Sequence, residues 1–286
     1  MTPFTREGDL DVEALRTCVR FWVENGVSGL VPCGSNGEAP YLSREERSKV
    51  IDVVVDEVNG RIPVIAGTGS LSTQETINLT RDAKNLGADA ALIVTPFYFK
   101  LTDREVIAHY RAVLDSVDIP IVLYNVPKFT GFSLDPVVIH QLARENEQVV
   151  GVKDSSGKID NITKIIMLVG SRVSVLAGAA DIALSSFSLG GKGAVLAVAN
   201  VFPAVCKRLY ETFRNDKLEE ANRLQESITL ADDLLVRRNN QLSAIKEALN
   251  AEGLPAGYPR RPALALEGEE KTAVREFVKT MSGAHT

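Results

Sequence analysis

Short runs of apolar, mostly β-branched residues recur along the chain at intervals of roughly thirty residues, about the length of one strand-helix unit. They fall at 29–32, 62–66, 90–94, 119–123, 149–152, 173–176 and 194–198. Within them apolar residues follow one another instead of alternating with polar ones, which predicts parallel strands buried on both faces. The segments between the runs carry helical periodicity and recognisable first turns. Ser43-Arg44-Glu45-Glu46 has capping-box spacing, and Ser72-Thr73-Gln74-Glu75 and Thr102-Asp103-Arg104-Glu105 read the same way. A helix is predicted over 12–24, and after the last run the pattern becomes helical throughout, at 204–213, 218–235, 239–251 and 269–280.

Strand and helix alternate without a break in composition, and no Gly/Ser- or Pro-rich linker separates the halves, which predicts an α/β fold. Seven strands with helices between them are one short of a (β/α)8 TIM barrel. The missing one is expected at the front, where Thr2-Pro3-Phe4 stands as the end of a strand. The expected organisation is a barrel over 1–214 followed by a C-terminal helical extension over 215–286.

Composition narrows the function classes. The chain has 286 residues, 45% hydrophobic and 24% charged, enough apolar material for a sizeable core. Its net charge of -5 is mild and interspersed, so there is no basic stripe for nucleic acid. Cys18, Cys33 and Cys206 lie far apart and lack zinc-type spacing, which suits reduced thiols. His109, His140 and His285 are equally isolated, so a metal site is not expected. No apolar run approaches the ~20 residues that span a bilayer, and residues 1–9 lack a signal-peptide layout, so no membrane partner and a cytoplasmic location are expected.

Active sites of barrels sit at the C-terminal ends of the strands, and the unusual residues gather there. One predicted strand ends in Cys33-Gly34-Ser35-Asn36-Gly37-Glu38, others in Thr95-Pro96-Phe97-Tyr98, Tyr124-Asn125-Val126-Pro127 and Lys153-Asp154-Ser155-Ser156-Gly157. Lys153 closes an apolar strand, where loss of hydration favours the uncharged amine, a nucleophile toward ketones. On position alone it reads equally well as a snorkelling or phosphate-binding lysine. Tyr124 ends the neighbouring strand and could shuttle protons, or it could be a rim tyrosine with a satisfied hydroxyl. Gly34-Ser35-Asn36-Gly37-Glu38 suits a small carboxylate, with two glycines, exposed amides and a hydroxyl, but also makes a good turn. Glu38 reads as a structural hydrogen-bonding residue more than as a catalytic acid.

Taken together these residues resemble the dihydrodipicolinate synthase and N-acetylneuraminate lyase superfamily of class I, Schiff-base aldolases. The resemblance runs from Thr2-Pro3-Phe4 through Gly34 to Glu38, Tyr124-Asn125-Val126-Pro127 and Gly151-Val152-Lys153-Asp154 to Gly190-Gly191-Lys192-Gly193. It implies Lys153 as the Schiff-base lysine, Tyr124 as the catalytic tyrosine, Ser35 as a relay hydroxyl in place of a threonine, and Tyr98 as the tyrosine that a neighbouring subunit contributes in many members. It also implies that the amides of Ser35 and Asn36 hold the pyruvate carboxylate, with Gly34, Ser155, Gly178 and Val195 completing the substrate-binding set. No cofactor or metal is implied, and a homo-oligomer, dimer or tetramer, is.

One departure bears on substrate. Where dihydrodipicolinate synthases carry an arginine after the Tyr-Asn-x-Pro motif, this chain has Phe129, which cannot replace a bidentate guanidinium. The Gly34–Glu38 segment, Lys153-Asp154-Ser155 and the stretch 196–200 instead resemble the 4-hydroxy-2-oxoglutarate aldolase branch, in which side chains at the positions of Asn36 and Ser155 help hold the substrate. The expected activity is therefore aldol cleavage of a 2-keto acid such as 4-hydroxy-2-oxoglutarate or a 2-keto-3-deoxy sugar acid. Dihydrodipicolinate synthesis from pyruvate and aspartate semialdehyde is the alternative, and a non-catalytic ligand-sensing barrel is a third.

Overall fold

The computed structural model describes residues 1–285, with side chains through residue 281. It contains two compact units, Pro63–Val195 on the one hand and Met1–Ile62 with Leu196 onward on the other.

Pro63–Val195 is built on six parallel strands, β1 (Ile65–Gly67), β2 (Ala90–Val94), β3 (Ile121–Asn125), β4 (Val149–Asp154), β5 (Ser174–Ala177) and β6 (Gly193–Ala194), whose spatial order is their order along the chain. Helices Thr73–Asn85, Asp103–Ser116, Pro136–Glu145, Ile159–Val169 and Ala183–Ser188 make the crossovers. The strand interiors are apolar on both faces because both faces are covered: Ile93, Ile121, Leu123, Val152 and Val175 pack with Tyr110, Val113, Ile139, Leu142, Ile162 and Ile165 in one buried cluster. Tyr110, fully buried, donates its hydroxyl to the Ile93 carbonyl at 2.9 Å, so the phenol leaves no orphaned donor. The predicted first turns are present. Thr102 forms a complete capping box with Glu105, and Ser72 accepts from the Glu75 amide.

Several strand boundaries differ from the sequence reading, among them the run at 62–66, which pairs as β1 only over Ile65–Gly67. The run at 119–123 begins pairing only at Ile121, because Pro120 has no N–H to give a ladder, although its carbonyl accepts from Ala91. The last run, read as a strand over 194–198, pairs only at Gly193–Ala194, and Val198–Asn200 turns into a 3-10 helix.

The other unit holds the helices Val12–Glu24, Arg44–Val58, Pro203–Arg214, Leu218–Asp232, Gln241–Ala251 and Gly268–His285. Ser43 and Glu46 form the predicted capping box. The helix expected over 218–235 ends in a π-helical turn, Asp233–Arg238, instead of closing cleanly. The run at 29–32 was expected to be a strand, but only Leu30 makes a bridge, and Pro32 supplies no ladder donor. Phe4 bridges Gly257, where a Cβ would lie 2.2 Å from the Phe4 carbonyl oxygen, so only glycine permits this approach.

Candidate active site

Tyr124 and Lys153 are register partners at the C-terminal ends of β3 and β4, so parallel pairing alone sets their backbones side by side. Both are buried, Lys153 with 8% of its surface exposed. The Lys153 Nζ stands 4.3 Å from the centroid of the Tyr124 ring. An amine held against an aromatic face in an apolar strand end has little water to compete with an incoming carbonyl carbon.

The next residue on each strand locks this arrangement. Asn125 donates through Nδ2 to Asp154 Oδ1 at 2.5 Å, and its own Oδ1 accepts from the Leu134 amide at 2.8 Å. Asp154, fully buried, also accepts from Asn161 at 3.0 Å and from the Ser156 hydroxyl at 2.7 Å. Burial raises its pKa above the ordinary carboxylate range, against the opposing pull of these donors. With the folded-state value raised, the native state binds this proton more tightly than the unfolded chain does. Its linkage contribution thus favours folding at acid pH and falls away as pH rises through the folded value. Asp154→Asn removes the buried charge but turns an amide N–H₂ toward at least one of three donors. We expect a net loss of about 1–3 kcal/mol, seen as a lower melting temperature by calorimetry; an unchanged or raised melting temperature would refute the lock.

Around this pair lie others of the expected residues. Ser155 follows Asp154, its amide bonded to the Asn125 carbonyl at 2.8 Å and its hydroxyl buried without a protein partner. Gly178 donates to the Asp154 carbonyl at 2.7 Å, and a Cβ there would lie 1.9 Å from Ser155 Oγ, so the absence of a side chain at Gly178 is what leaves room for that hydroxyl. Val195 extends β6 by one bond, its amide to the Ala177 carbonyl at 2.8 Å. Tyr98 stands apart from this cluster. It is 85% exposed, at a φ of 92° that non-glycine residues rarely adopt, and its ring meets Phe99 edge-on at 5.0 Å. Phe129 sits on the short helix Pro127–Thr130, 47% exposed, with Lys128 Nζ 5.5 Å from its ring centroid.

Gly34, Ser35 and Asn36 lie in the other unit, on a tight turn closed by bonds from the Glu38 amide to the Ser35 carbonyl at 3.1 Å and from Ala39 to Gly34 at 3.4 Å. Cys33 and Glu38 flank it with left-handed backbones. Glu38 is the structural residue its position suggested. Its Oε1 meets Lys246 Nζ at 2.6 Å, both side chains essentially inaccessible, and its Oε2 accepts from the Arg260 amide at 2.8 Å. Burial lowers the Lys246 pKa below the ordinary lysine range, with the carboxylate of Glu38 pulling the other way. Lys246 also donates to the Tyr258 carbonyl and lies 4.4 Å from the Phe4 ring centroid. Asn36 Oδ1 accepts from Gln241 Nε2 at 2.8 Å.

Gln241, Lys246 and Arg260 were missed in the sequence reading. One signal was present for Lys246, which with Glu247 forms a charged pair among the buried Ala244, Ile245, Ala248 and Leu249 of one helix. Gln241 and Arg260 carried none, since each acts on a residue more than 200 positions away.

The histidines behave as ordinary helix residues where described. His109 is buried with Nδ1 2.9 Å from the Thr73 hydroxyl, and burial pushes its pKa down to about 4. His140 bonds the Leu168 carbonyl, and the side chain of His285 lies outside the described residues. Among the described residues no group of three or more His, Cys, Asp or Glu could hold a metal ion, and no helix is long and apolar enough to cross a membrane.

The family model described as the dihydrodipicolinate synthetase family matches residues 1–281. The 4-hydroxy-tetrahydrodipicolinate synthase of Pelobacter propionicus is 38% identical over 280 residues, 98% of this chain and 96% of that protein. That of Geobacter sp. strain M21 is 40% identical over 266 residues, 93% and 91% of the two chains. The crystal structure of dihydrodipicolinate synthase from Aquifex aeolicus superposes with a TM-score of 0.94 at 35% identity, covering 99% of this chain and 96% of that one. YagE from E. coli K12, a prophage protein of the same family solved in complex with pyruvate, gives 0.94 at 29% identity over 98% and 96%. The fold class is accordingly the TIM barrel of these proteins with a C-terminal helical extension. With a buried lysine and tyrosine paired across adjacent strand ends, this chain belongs to the dihydrodipicolinate synthetase family, lyases that work through a Schiff base.

Proposed function

We propose that the chain is a pyruvate-dependent class I aldolase that cleaves a 2-keto acid, such as 4-hydroxy-2-oxoglutarate or a 2-keto-3-deoxy sugar acid, through a Schiff base on Lys153. The observation that carries the chemistry is the pairing of Lys153 with Tyr124, register partners with the amine 4.3 Å from the ring. The Lys153 amine adds to the C2 carbonyl, and loss of water gives an iminium. The C3–C4 bond then breaks, its electron pair passing into the iminium to form an enamine, while the C4 hydroxyl proton passes to Tyr124 and an aldehyde departs. A proton returned to C3 restores the iminium, and water hydrolyses it to pyruvate and free Lys153. The family resemblance assigns Ser35 to the relay, the Ser35 and Asn36 amides to the carboxylate, and Gly34, Ser155, Gly178 and Val195 to substrate contact. It assigns Tyr98 to a neighbouring copy in a cytoplasmic homo-oligomer.

Phe129 favours cleavage of a 2-keto-3-deoxy sugar acid, whose departing aldehyde has no carboxylate, over dihydrodipicolinate synthesis; the glyoxylate released from 4-hydroxy-2-oxoglutarate carries a carboxylate of its own, so for that substrate Phe129 does not discriminate. A substrate aldehyde bearing its own carboxylate loses there a charge-assisted contact worth about 1.5–3 kcal/mol, or roughly ten- to hundredfold in kcat/KM. The second reading, 4-hydroxy-tetrahydrodipicolinate synthase, has the names of the curated relatives in its favour. A substrate panel followed by pyruvate release or consumption separates the two. The expected ranking is cleavage above condensation with aspartate semialdehyde, with Phe129→Arg raising condensation roughly tenfold or more. Efficient condensation by the unaltered protein with negligible cleavage of either keto acid would reverse the assignment.

A further inference from the structure

Parallel pairing lines up one row of residues across the sheet of Pro63–Val195. Val94, Tyr124, Lys153, Leu176 and Gly193 are successive register partners from β2 to β6. Paired residues leave the same face of a sheet, one strand spacing of about 4.8 Å apart. Here that face is the one turned away from the helices. Val152, Val175 and Ala177, which alternate with Lys153 and Leu176 along β4 and β5, belong to the buried cluster on Tyr110, Ile139, Ile162 and Ile165, and Leu176 does not. Leu176 is therefore the neighbour of Lys153 on the side opposite Tyr124.

The two long side chains lean apart. Lys153 turns to β3, its Nζ 4.3 Å from the centroid of the Tyr124 ring. Leu176 turns to β6, where a Cβ built on Gly193 would find Leu176 Cδ2 as its nearest neighbour, at 3.5 Å. Gly193 closes the motif Gly190-Gly191-Lys192-Gly193, and no left-handed backbone demands a glycine there, as it does at Gly190 with its φ of 105°. What the missing side chain provides is room for the leucine. Alanine fits at ordinary contact distance, and any further carbon must displace Leu176. Forward along β5 the space over Gly178 is filled by the Ser155 hydroxyl, with which a Cβ at that glycine would collide. Backward on the same face stands Ser174. The leucine then yields across the row, toward Lys153.

We infer that Leu176 and Gly193 form a specificity-determining pair: the glycine holds the leucine off Lys153, and the width left beside the amine fits a 2-keto acid whose C3 carries no branch. This rests on the Schiff-base reading of Lys153. Of the two groups on the carbon that joins the amine, the carboxylate needs hydrogen-bond donors, which the Leu176 flank lacks, and C3 needs none. C3 thus lies against the leucine, with C4 directed back to Tyr124. A hydroxyl on C3 would face an apolar wall unsatisfied, and a methyl would run into it.

The test uses full-length protein and borohydride trapping at Lys153, read by peptide mapping as the concentration of keto acid that gives half the maximal adduct. The probes are pyruvate and 2-oxobutyrate, which differ by one methyl on C3. Gly193→Val should raise the half-maximal pyruvate concentration roughly tenfold, the scale of one misfitted methylene, and Gly193→Ala should raise it less. Adding Leu176→Ala to Gly193→Val should return pyruvate to within about threefold of the unaltered protein, because the two residues act as a unit. Leu176→Ala alone should improve 2-oxobutyrate relative to pyruvate by roughly tenfold. A merely structural glycine would show no such rescue, since removing further apolar carbons from a destabilised variant lowers its melting temperature again.

An unchanged ratio of 2-oxobutyrate to pyruvate in Leu176→Ala overturns the inference. So does a Gly193→Val variant that traps pyruvate normally, or one whose weakened trapping Leu176→Ala fails to relieve. Should Gly193→Val not fold, the ratio in Leu176→Ala decides alone. Absence of any pyruvate adduct on Lys153 in the folded, unaltered protein is the distinct result that would remove the Schiff-base reading itself, and this inference with it.

Discussion

Replacing Lys153 with methionine is expected to abolish turnover, by roughly 10,000- to 1,000,000-fold, the scale seen when a covalent nucleophile is removed. Methionine keeps an apolar stem of similar length in the strand end, so the buried site beside Tyr124 stays filled. Borohydride added with pyruvate should leave a stable adduct on Lys153 in the unaltered protein and none in the variant, as peptide mapping by mass spectrometry would show. The other buried lysine is a poor competitor, because Lys246 is committed to Glu38, the Tyr258 carbonyl and the Phe4 ring. An adduct on another residue, or a variant within tenfold of the normal rate, would remove Lys153 from the mechanism.

Tyr124→Phe should slow cleavage by roughly 100- to 10,000-fold, the usual cost of a lost proton-transfer group. The phenyl ring remains beneath the Lys153 amine and the β3 backbone pairing is untouched, so folding should be preserved and pyruvate should still be trapped, though more slowly. That combination separates a catalytic hydroxyl from a structural one. A tyrosine that merely packs would give normal turnover, and one that held the fold together would lower the melting temperature along with the rate.

The roles of the two residues depend on the short-range order of β3 and β4, which explains why they could be read so early. Lys153 and Tyr124 each close a run of apolar residues, and parallel strands in sequential order must bring such ends together. The strand-helix rhythm, the capping boxes at Ser43 and Thr102 and the motif endings were likewise written in local residue pattern. Where pattern failed, the cause was a competing local rule. Pro120 delayed the start of β3 by withholding a donor, and Pro32 left the run at 29–32 with one bridging residue.

The helix starts, the strand ends at Tyr124 and Lys153 and the pairing of these two residues were thus determined by the sequence alone, because each rests on contacts within a residue or two of a strand register or a helix turn. The sequence also carried the family, in motifs at those same strand ends. The support of the turn at 34–38 was decided only by tertiary structure. Gln241, Lys246 and Arg260 reach it across more than 200 residues of chain, and no periodicity links a helix to a turn so far away. The same holds for the exposure of Tyr98 and the room that Gly178 leaves for the Ser155 hydroxyl. Hydrogen bonds and steric clearances are matters of ångströms between side chains, and these appear only once the backbone has been brought together in space.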